Sequence, residues 1–179
     1  MGQASQPQPV KLVLPMLAGE PALFNTACER LVFTLGRIDY TSAILPFGHT
    51  TYYEKEFGPG LQRQFVAFER LVDPGRLAEI KLLTNSLERG LALAGRRTIN
   101  LDPGYLSLAK FILATTKDQS HRIYIGQGIY AEITLSYQHG EWRGCPWTYP
   151  DYQTSAYLLV ISELRTIYIN QLKDRTEGL

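Results

Sequence analysis

Charged side chains crowd the segment from position 89 to 122, and they are the residues of this sequence best suited to chemistry. Six of its eight charged residues are Lys or Arg, and two are Asp. Lys and Arg side chains bind carboxylate and phosphate oxygens through charge-assisted hydrogen bonds. The segment therefore predicts a small basic pocket for a phosphate, a carboxylate or a nucleotide, and not a surface for a long polyanion.

His121 is the candidate acid or base of this pocket. Its neighbour Arg122 favours a neutral imidazole near neutral pH, and a neutral imidazole can accept or donate a proton. Asp102 and Glu132 are the nearby carboxylates that would orient the imidazole or bind a metal. We predict that the catalytic residues are His121, Asp102 and Glu132.

Cations and tyrosines of the same and neighbouring segments form the predicted ligand-binding group, in which the cations hold the anion. This group is Lys110, Lys117, Arg122, Tyr105, Tyr130, Tyr53 and Arg63. The alternative interpretation is that the charges lie on solvated faces and pair with the acidic residues Asp102, Asp118 and Glu132.

Residues 90–98 come close to a phosphate-binding loop, G-x-x-x-x-G-K-[ST], but lack its chemistry. Arg96 stands in place of the lysine, and Arg97 stands where a hydroxyl should bind Mg²⁺. Such a loop follows a strand and opens a helix, whereas this segment is predicted to close a helix and lead into a strand. We interpret it as a helix C-terminus, where arginines are favoured by the helix dipole.

The histidines and cysteines show no metal-ligand or disulfide spacing. His49, His121 and His139 lie on three separate segments, and Cys28 and Cys145 are far apart. Residues 49–51 form a single H-x-T element, whereas the two-histidine phosphoesterases need two. No metal site is predicted, and the sequence identifies no cofactor.

The composition excludes several classes of protein. A chain of 179 residues with a formal net charge of +1 and 45% hydrophobic residues predicts one globular domain over 10–179, after a flexible polar tail at 1–9. The balanced charge argues against a nucleic-acid partner. The apolar run at 10–18 is too short to span a membrane and has no basic leader before it. We therefore expect a cytoplasmic protein with no membrane partner.

The first half of the chain has the element order β-α-β-β-α-β. Asp73 followed by Pro74 is a typical helix start, and apolar residues at three- and four-residue steps predict the helical faces. Strands are predicted at 10–18, 38–47, 62–68 and 97–101, and helices at 21–35 and 73–93. This order is typical of the ferredoxin-like fold, so we predict an α+β protein of that type.

The second half is predicted to extend that fold with a short helix, a hairpin or meander and a long C-terminal helix. The predicted elements are a helix at 105–115, strands at 121–125 and 128–137, a short strand around Trp142, an aromatic loop at 147–151 and a helix at 154–173. Apolar runs such as 111–114 are ambiguous, because a short run fits a strand as well as a buried helix.

Several long strings of the sequence resemble one protein family. Residues 52–61, 100–106, 121–132 and 147–152 look like domain-of-unknown-function family 4416, and the resemblance extends over about 10–173. It implies a single-domain bacterial protein, and it supplies no catalytic residue. Some members of that family carry a GTP-binding label. Here the phosphate loop fails, and 116–118 lacks the intervening residue of the guanine-reading N/T-K-x-D pattern.

Two functions from different classes fit these observations. The first is binding of a small anionic ligand, such as a phosphate compound or a nucleotide, in a basic, tyrosine-rich pocket. The second is a non-catalytic protein-interaction module that uses the tyrosine-rich surface and the Trp147 loop, because Tyr, Trp and Arg dominate binding hot spots. The sequence leaves open whether the chain forms a homo-oligomer.

Overall fold

A large antiparallel sheet is the centre of the fold. The computed structural model describes residues 2–48 and 54–177. Its strands are β1 Lys11–Ala18, β2 Ile38–Thr41, β3 Leu45–Pro46, β4 Gln62–Phe68, β5 Ile99–Leu101, β6 Gly104–Leu106, β7 Lys110–Thr115, β8 Ile123–Gly126, β9 Ile129–Gln138 and β10 Glu141–Gly144. Its α-helices are α1 Ala22–Leu35, α2 Glu54–Phe57, α3 Leu77–Gly90 and α4 Ser155–Glu177, and 3₁₀ turns span Pro74–Arg76 and Pro150–Gln153.

The strand β1 lies in the middle of this sheet. The strands follow the order β10-β9-β7-β6-β1-β4-β2, while β3 pairs with β4, β5 with β1 and β8 with β9. All eight residues of β1 are buried. A strand reads as a nearly continuous apolar run when both of its faces are covered, and that is the reason for the apolar sequence at 10–18.

Helices cover both faces of the sheet. Leu12, Leu14 and Met16 of β1 pack with α1 and α3 on one face. Val13 of β1 and Phe65 of β4 pack with α4 on the other face. Successive side chains of a strand point to opposite faces, so one strand supplies both cores. The predicted α+β class is thereby confirmed.

Most of the predicted elements of the first half are present, with one strand divided. The predicted strand at 38–47 is two short strands, β2 and β3, which both pair with β4. The chain leaves the sheet between them at Ser42, whose hydroxyl accepts a hydrogen bond from the backbone amide of Phe65. The predicted C-terminal helix is present as α4, and Tyr157, Ile161 and Leu164 on one of its faces are buried.

The predicted helix at 105–115 is wrong, because this segment forms the antiparallel strands β6 and β7. Phe111, Ile112 and Leu113 are all buried, since β7 is covered on both faces. A strand buried on both faces loses the alternation that would identify it. Gly104 also favours the strand pair, because a Cβ there would lie 2.2 Å from the carbonyl oxygen of Ile112.

Within the described residues, no helix is both long enough and apolar enough to cross a membrane. Residues 2–8 are exposed and form neither helix nor strand. The next residue contacts the body of the protein, since the hydroxyl of Tyr168 donates to the carbonyl oxygen of Pro9. The single domain at 10–179 stays a prediction.

Candidate functional site

A cavity of about 110 Å³ lies where β4, β7 and β9 meet the 3₁₀ turn that precedes α4. Five of the predicted site residues are among those that line it. The lining is Phe47, Arg63, Asp102, Leu113, Ala114, Thr115, Lys117, Arg122, Glu132, Tyr149, Pro150, Asp151 and Tyr152. Loops and strand ends from distant parts of the sequence therefore combine in one concave site, as is usual for small-ligand pockets.

Arg63 is a buried cation of the cavity, and its side chain is only 4% exposed. Strand alternation places it on the same face of β4 as Phe65, directed toward the turn before α4. Its Nη1 lies 3.7 Å from Oδ2 of Asp102, and its Nη2 lies 3.5 Å from Oδ2 of Asp151. The guanidinium also lies over the ring of Phe47, 5.2 Å from the centroid. Two carboxylates and a ring face thus compensate its buried charge.

Several polar atoms around Arg63 are buried without a hydrogen-bond partner. Within the part of the chain that the structure describes, they are Nε and Nη1 of Arg63 and the hydroxyl group of Tyr152. Burial raises the pKa of the Tyr152 phenol well above its usual value, so this hydroxyl stays protonated and can donate. Buried donors without acceptors are rare and costly, and each one calls for a ligand or an ordered water.

Asp102 is fixed by three side chains. Oδ1 faces Nζ of Lys81 at 3.4 Å, while Oδ2 accepts from the amide of Asn100 and faces Arg63. Lys81 is buried and also donates to the carbonyl oxygen of Leu101 at 2.8 Å. Asp102 is therefore held in a defined position between two buried cations.

Glu132 joins the predicted acid–base residue to the cavity. Its Oε2 accepts from Nε of Arg122 at 2.8 Å and lies 3.2 Å from Nε2 of His121. Arg122 also donates to the carbonyl oxygen of Lys117 at 3.1 Å. His121 stacks on Trp147 with ring centroids 5.2 Å apart. The imidazole is thus positioned by a carboxylate and an indole, beside the cavity and not within its lining.

The aromatic loop predicted at 147–151 is tied to the sheet. One edge of β9 pairs with β8 near its start and with β10 near its end. Between these two pairings, backbone carbonyl oxygens of β9 accept hydrogen bonds from side chains of the loop. Nε1 of Trp147 donates to Ile133, and Oγ1 of Thr148 donates to Thr134. This anchoring places the following residues, Tyr149 to Tyr152, along the cavity wall.

The predicted site residues separate into two groups. Arg63, Asp102, Lys117, Arg122 and Glu132 line the cavity, and His121 contacts it through Glu132. Tyr53 lies outside the described residues.

Three predicted ligand-binding residues lie away from this cavity. Lys110 is exposed at the start of β7, opposite Ser136. Tyr105 packs against the apolar cores, and burial raises its pKa. Tyr130 contacts the ring of Tyr124. The positions of Lys110 and Tyr105 follow from the correction of the helix at 105–115, because both residues lie on strands there, whereas Tyr130 lies on the correctly predicted strand β9.

Asp151, Tyr152 and Lys81 contribute to the site and were missed. Asp151 and Tyr152 belong to the aromatic string that the sequence did single out, and a buried 3₁₀ turn brings them to Arg63. The sequence does not indicate that Lys81 belongs to the site, because a lysine on a helix is ordinarily solvated.

The charge of the cavity differs from the predicted basic pocket. Of the residues that the structure describes, three cations line it, Arg63, Lys117 and Arg122, and they are matched by three carboxylates, Asp102, Asp151 and Glu132. Among the residues that the structure describes, no group of three or more His, Cys, Asp or Glu could hold a metal ion. The lining is therefore a mixture of paired charges around an incompletely bonded guanidinium.

Residues 90–97 do not form a phosphate-binding loop. Gly90 ends α3, and the chain turns back through Leu93 and Arg96 before β5. Arg97 donates to Glu56 and to Glu88, so its guanidinium is committed to two carboxylates of the protein. The interpretation of this segment as a helix exit agrees with this geometry.

The fold and the site define an α+β protein with a buried, charge-paired pocket. Residues 8–168 match the family model described as Domain of unknown function (DUF4416), and the chain belongs to this family. No curated protein and no solved structure matches the chain.

Proposed function

We propose that the cavity binds a small anionic ligand, with Arg63 as the central contact. The observation that carries the proposal is the pair of buried guanidinium nitrogens, Nε and Nη1, for which the described residues supply no acceptor within hydrogen-bond distance. An arginine presents rigid, planar donors that fit the oxygens of a carboxylate or a phosphate. The hydroxyl of Tyr152, which also lacks a partner, adds another donor to the same cavity.

The positions of the other cations support the same proposal. Lys117 is exposed whereas Arg63 is buried, so positive charge is present both outside and inside the cavity. Such an arrangement attracts an anion and then binds it. A phosphate compound or a nucleotide is one form that the ligand can take. A GTP-binding role has no support from residues 90–97, which lack a phosphate loop.

Catalysis by His121, with Asp102 and Glu132 as orienting groups, stays a prediction. Its support is the 3.2 Å contact between His121 and Glu132. His121 does not line the cavity, and a general acid or base must come within hydrogen-bond reach of its substrate. Binding is therefore the function that we propose for this site.

We also propose that the first half of the chain is ferredoxin-like. The support is the order in which β5 and β6, then β1, then β4, then β2 and β3 lie side by side, with α1 and α3 packed on one face. A cytoplasmic location in a bacterium is proposed on the family resemblance and on the free thiols of Cys28 and Cys145.

A ligand screen tests the anion site. Inorganic phosphate, nucleotides, sugar phosphates and small carboxylic acids are added singly, and the thermal midpoint is measured, followed by calorimetric titration of any hit. A ligand at a hundred times its Kd adds about 2.7 kcal/mol to the free energy of unfolding. The proposal fails if no compound raises the midpoint and none binds in the calorimeter.

Variants of the protein then test whether a ligand found in the screen binds in the cavity. Arg63→Gln should abolish the shift caused by a hit, whereas Arg143→Gln, in an exposed pair with Glu141, should leave it unchanged. Where Arg63→Gln fails to fold, Lys117→Gln replaces it, because Lys117 also lines the cavity and is an exposed residue. An unchanged Kd in Lys117→Gln and in Arg63→Gln would remove the cavity as the binding site.

Self-association is the second candidate function, and exposed apolar residues of β8 favour it. The side chains of Ile123 and Tyr124 are 73% and 59% exposed, on a strand for which β9 is the one partner among the described strands. Exposed apolar patches are typical of interaction sites. If β8 joins two copies of the chain, light scattering will give a dimer mass that Ile123→Ser reduces to a monomer. A monomer mass for the unmodified protein excludes this candidate.

A further inference from the structure

The proposed anion site leads to a more specific conclusion, which rests on that proposal. We infer that the ligand carries one negative charge, as a carboxylate does, and not the two charges of a phosphate monoester. The charges around the cavity, and not its volume, make this distinction.

The protein groups supply a small net positive charge. Among the described residues, the three cations and three carboxylates of the lining cancel. Lys81 adds one positive charge from behind Asp102, so the site has a net charge of about +1 by this count. Among the described residues, the next charges outward are Glu88, Arg97 and Glu56, which bind one another. These two carboxyl groups and one guanidinium supply no net positive charge, and they oppose a second negative charge on the ligand.

Because most of the charged groups of the site are buried, an unpaired charge there costs free energy. The side chains of Arg63, Asp151 and Glu132 are each no more than 5% exposed, so water screens them poorly. An uncompensated charge in such surroundings is costly, whereas a charge that is paired and hydrogen-bonded is tolerated. One negative charge matches the site, and a second would face Asp102, Asp151 and Glu132 with none of the described cations left to pair with it.

The remainder of the lining indicates what the anionic group is attached to. Phe47, Leu113, Ala114 and Pro150 give the cavity an apolar wall, and Tyr149 and Tyr152 add aromatic faces. A small carboxylic acid with an apolar body can place its oxygens on Arg63 and Tyr152 while its body contacts that wall. Pockets of this kind bind their ligands mainly by apolar contact and use a few polar groups for orientation.

A matched pair of probes separates charge from shape. Benzenesulfonate and phenylphosphonate have the same ring and the same tetrahedral group, but near pH 8.5 the first carries one negative charge and the second two. Benzoate is the carboxylate probe, and benzamide is the neutral control. Calorimetry at constant ionic strength should show binding of benzoate and benzenesulfonate, binding of phenylphosphonate that is weaker by about tenfold or more, and none of benzamide.

A charge variant of the protein provides the reciprocal test. Asp102→Asn removes one negative charge at a residue whose side chain is partly exposed, and it keeps the shape of the side chain. It should raise the affinity for phenylphosphonate relative to benzenesulfonate by about tenfold. An unchanged ratio would contradict the inference.

The outcomes distinguish this inference from the proposed function. If phenylphosphonate binds as tightly as benzenesulfonate or more tightly, and Arg63→Gln abolishes that binding, the anion site stands and the single-charge inference is wrong. If neither these probes nor the compounds of the wider screen bind, the proposed function itself is wrong.

Discussion

Arg63 and Asp151 are 88 positions apart in the chain, yet Nη2 of Arg63 donates to Oδ2 of Asp151 at 3.5 Å in the protein interior. The pair joins β4 to the 3₁₀ turn that precedes α4, and it forms one wall of the cavity. One contact therefore contributes both to the attachment of the C-terminal helix and to the shape of the proposed site.

The first prediction concerns this pair. Asp151→Ala leaves the buried guanidinium with Asp102 as its remaining carboxylate partner at 3.7 Å, and loss of one partner of a buried pair costs about 3 kcal/mol. Urea denaturation measures this cost as a change in the free energy of unfolding. Glu141→Ala, in the exposed pair with Arg143, is the matched control and should cost less than about 1 kcal/mol. If both variants lose the same free energy of unfolding, the buried pair stabilises the protein no more than the exposed pair, and the prediction is wrong.

The second prediction concerns the close approach of β6 and β7. In Gly104→Ala the new Cβ would lie 2.2 Å from the carbonyl oxygen of Ile112, so the two strands must separate. We expect a loss of about 3 kcal/mol in unfolding free energy, at the upper end of the usual range for one substitution. Gly48→Ala is the control, because nothing lies within 4 Å of its Cβ position. If Gly104→Ala is as stable as the unmodified protein, β6 and β7 do not approach each other closely at this position.

The third prediction concerns the anchoring of the aromatic loop. Oγ1 of Thr148 donates to the carbonyl oxygen of Thr134 at 2.6 Å and accepts from the amide of Cys145 at 2.7 Å. Thr148→Val keeps the shape but leaves both buried groups without this partner, which costs about 2 kcal/mol. Thermal unfolding measures the loss. Thr166→Val is the control, since this exposed hydroxyl only bonds back to its own helix, and a larger loss there would contradict the prediction.

The elements that could be predicted from the sequence are those whose local pattern agrees with their burial. The 10–18 strand is recognisable because both of its faces are covered, and the C-terminal helix because one face is. The same both-face burial misled the interpretation of β7, where a short apolar run also fits a helix. A pattern that reports only burial cannot separate these two structures when the run is short.

The site was predicted in part, for a related reason. Arg63, Asp102 and Glu132 stand out as charged residues close to strands, and the structure brings them to one cavity. Lys81 lies on α3 where it looks like an ordinary surface lysine, and its burial depends on the packing of α3 over β5. Asp151 depends on a long-range contact with β4. Side chains that become functional through tertiary contacts alone have no signature in local sequence.

The last prediction concerns Glu88, whose carboxylate is buried between α3 and β5. It accepts from the backbone amide of Leu101 at 2.7 Å and from Arg97 at 3.0 Å. Burial outweighs these contacts and raises its pKa above the ordinary 4.5. A carboxyl group whose pKa is higher in the folded state holds its proton more tightly there, so its contribution to stability is present at low pH and is lost as pH rises through the folded pKa.

Glu88→Gln tests this sign, because the amide keeps the shape and does not titrate. The free energy of unfolding of the unmodified protein, minus that of the variant, should fall as pH rises from about 4.5 through the folded pKa of Glu88. Glu79→Gln is the matched control on the same helix, since hydrogen bonding to Arg76 lowers the pKa of Glu79. The corresponding difference should stay constant above about pH 4.5 and decrease as pH falls below that value. A difference for Glu88 that grows with pH would mean that Arg97 and Leu101 outweigh the cost of burial.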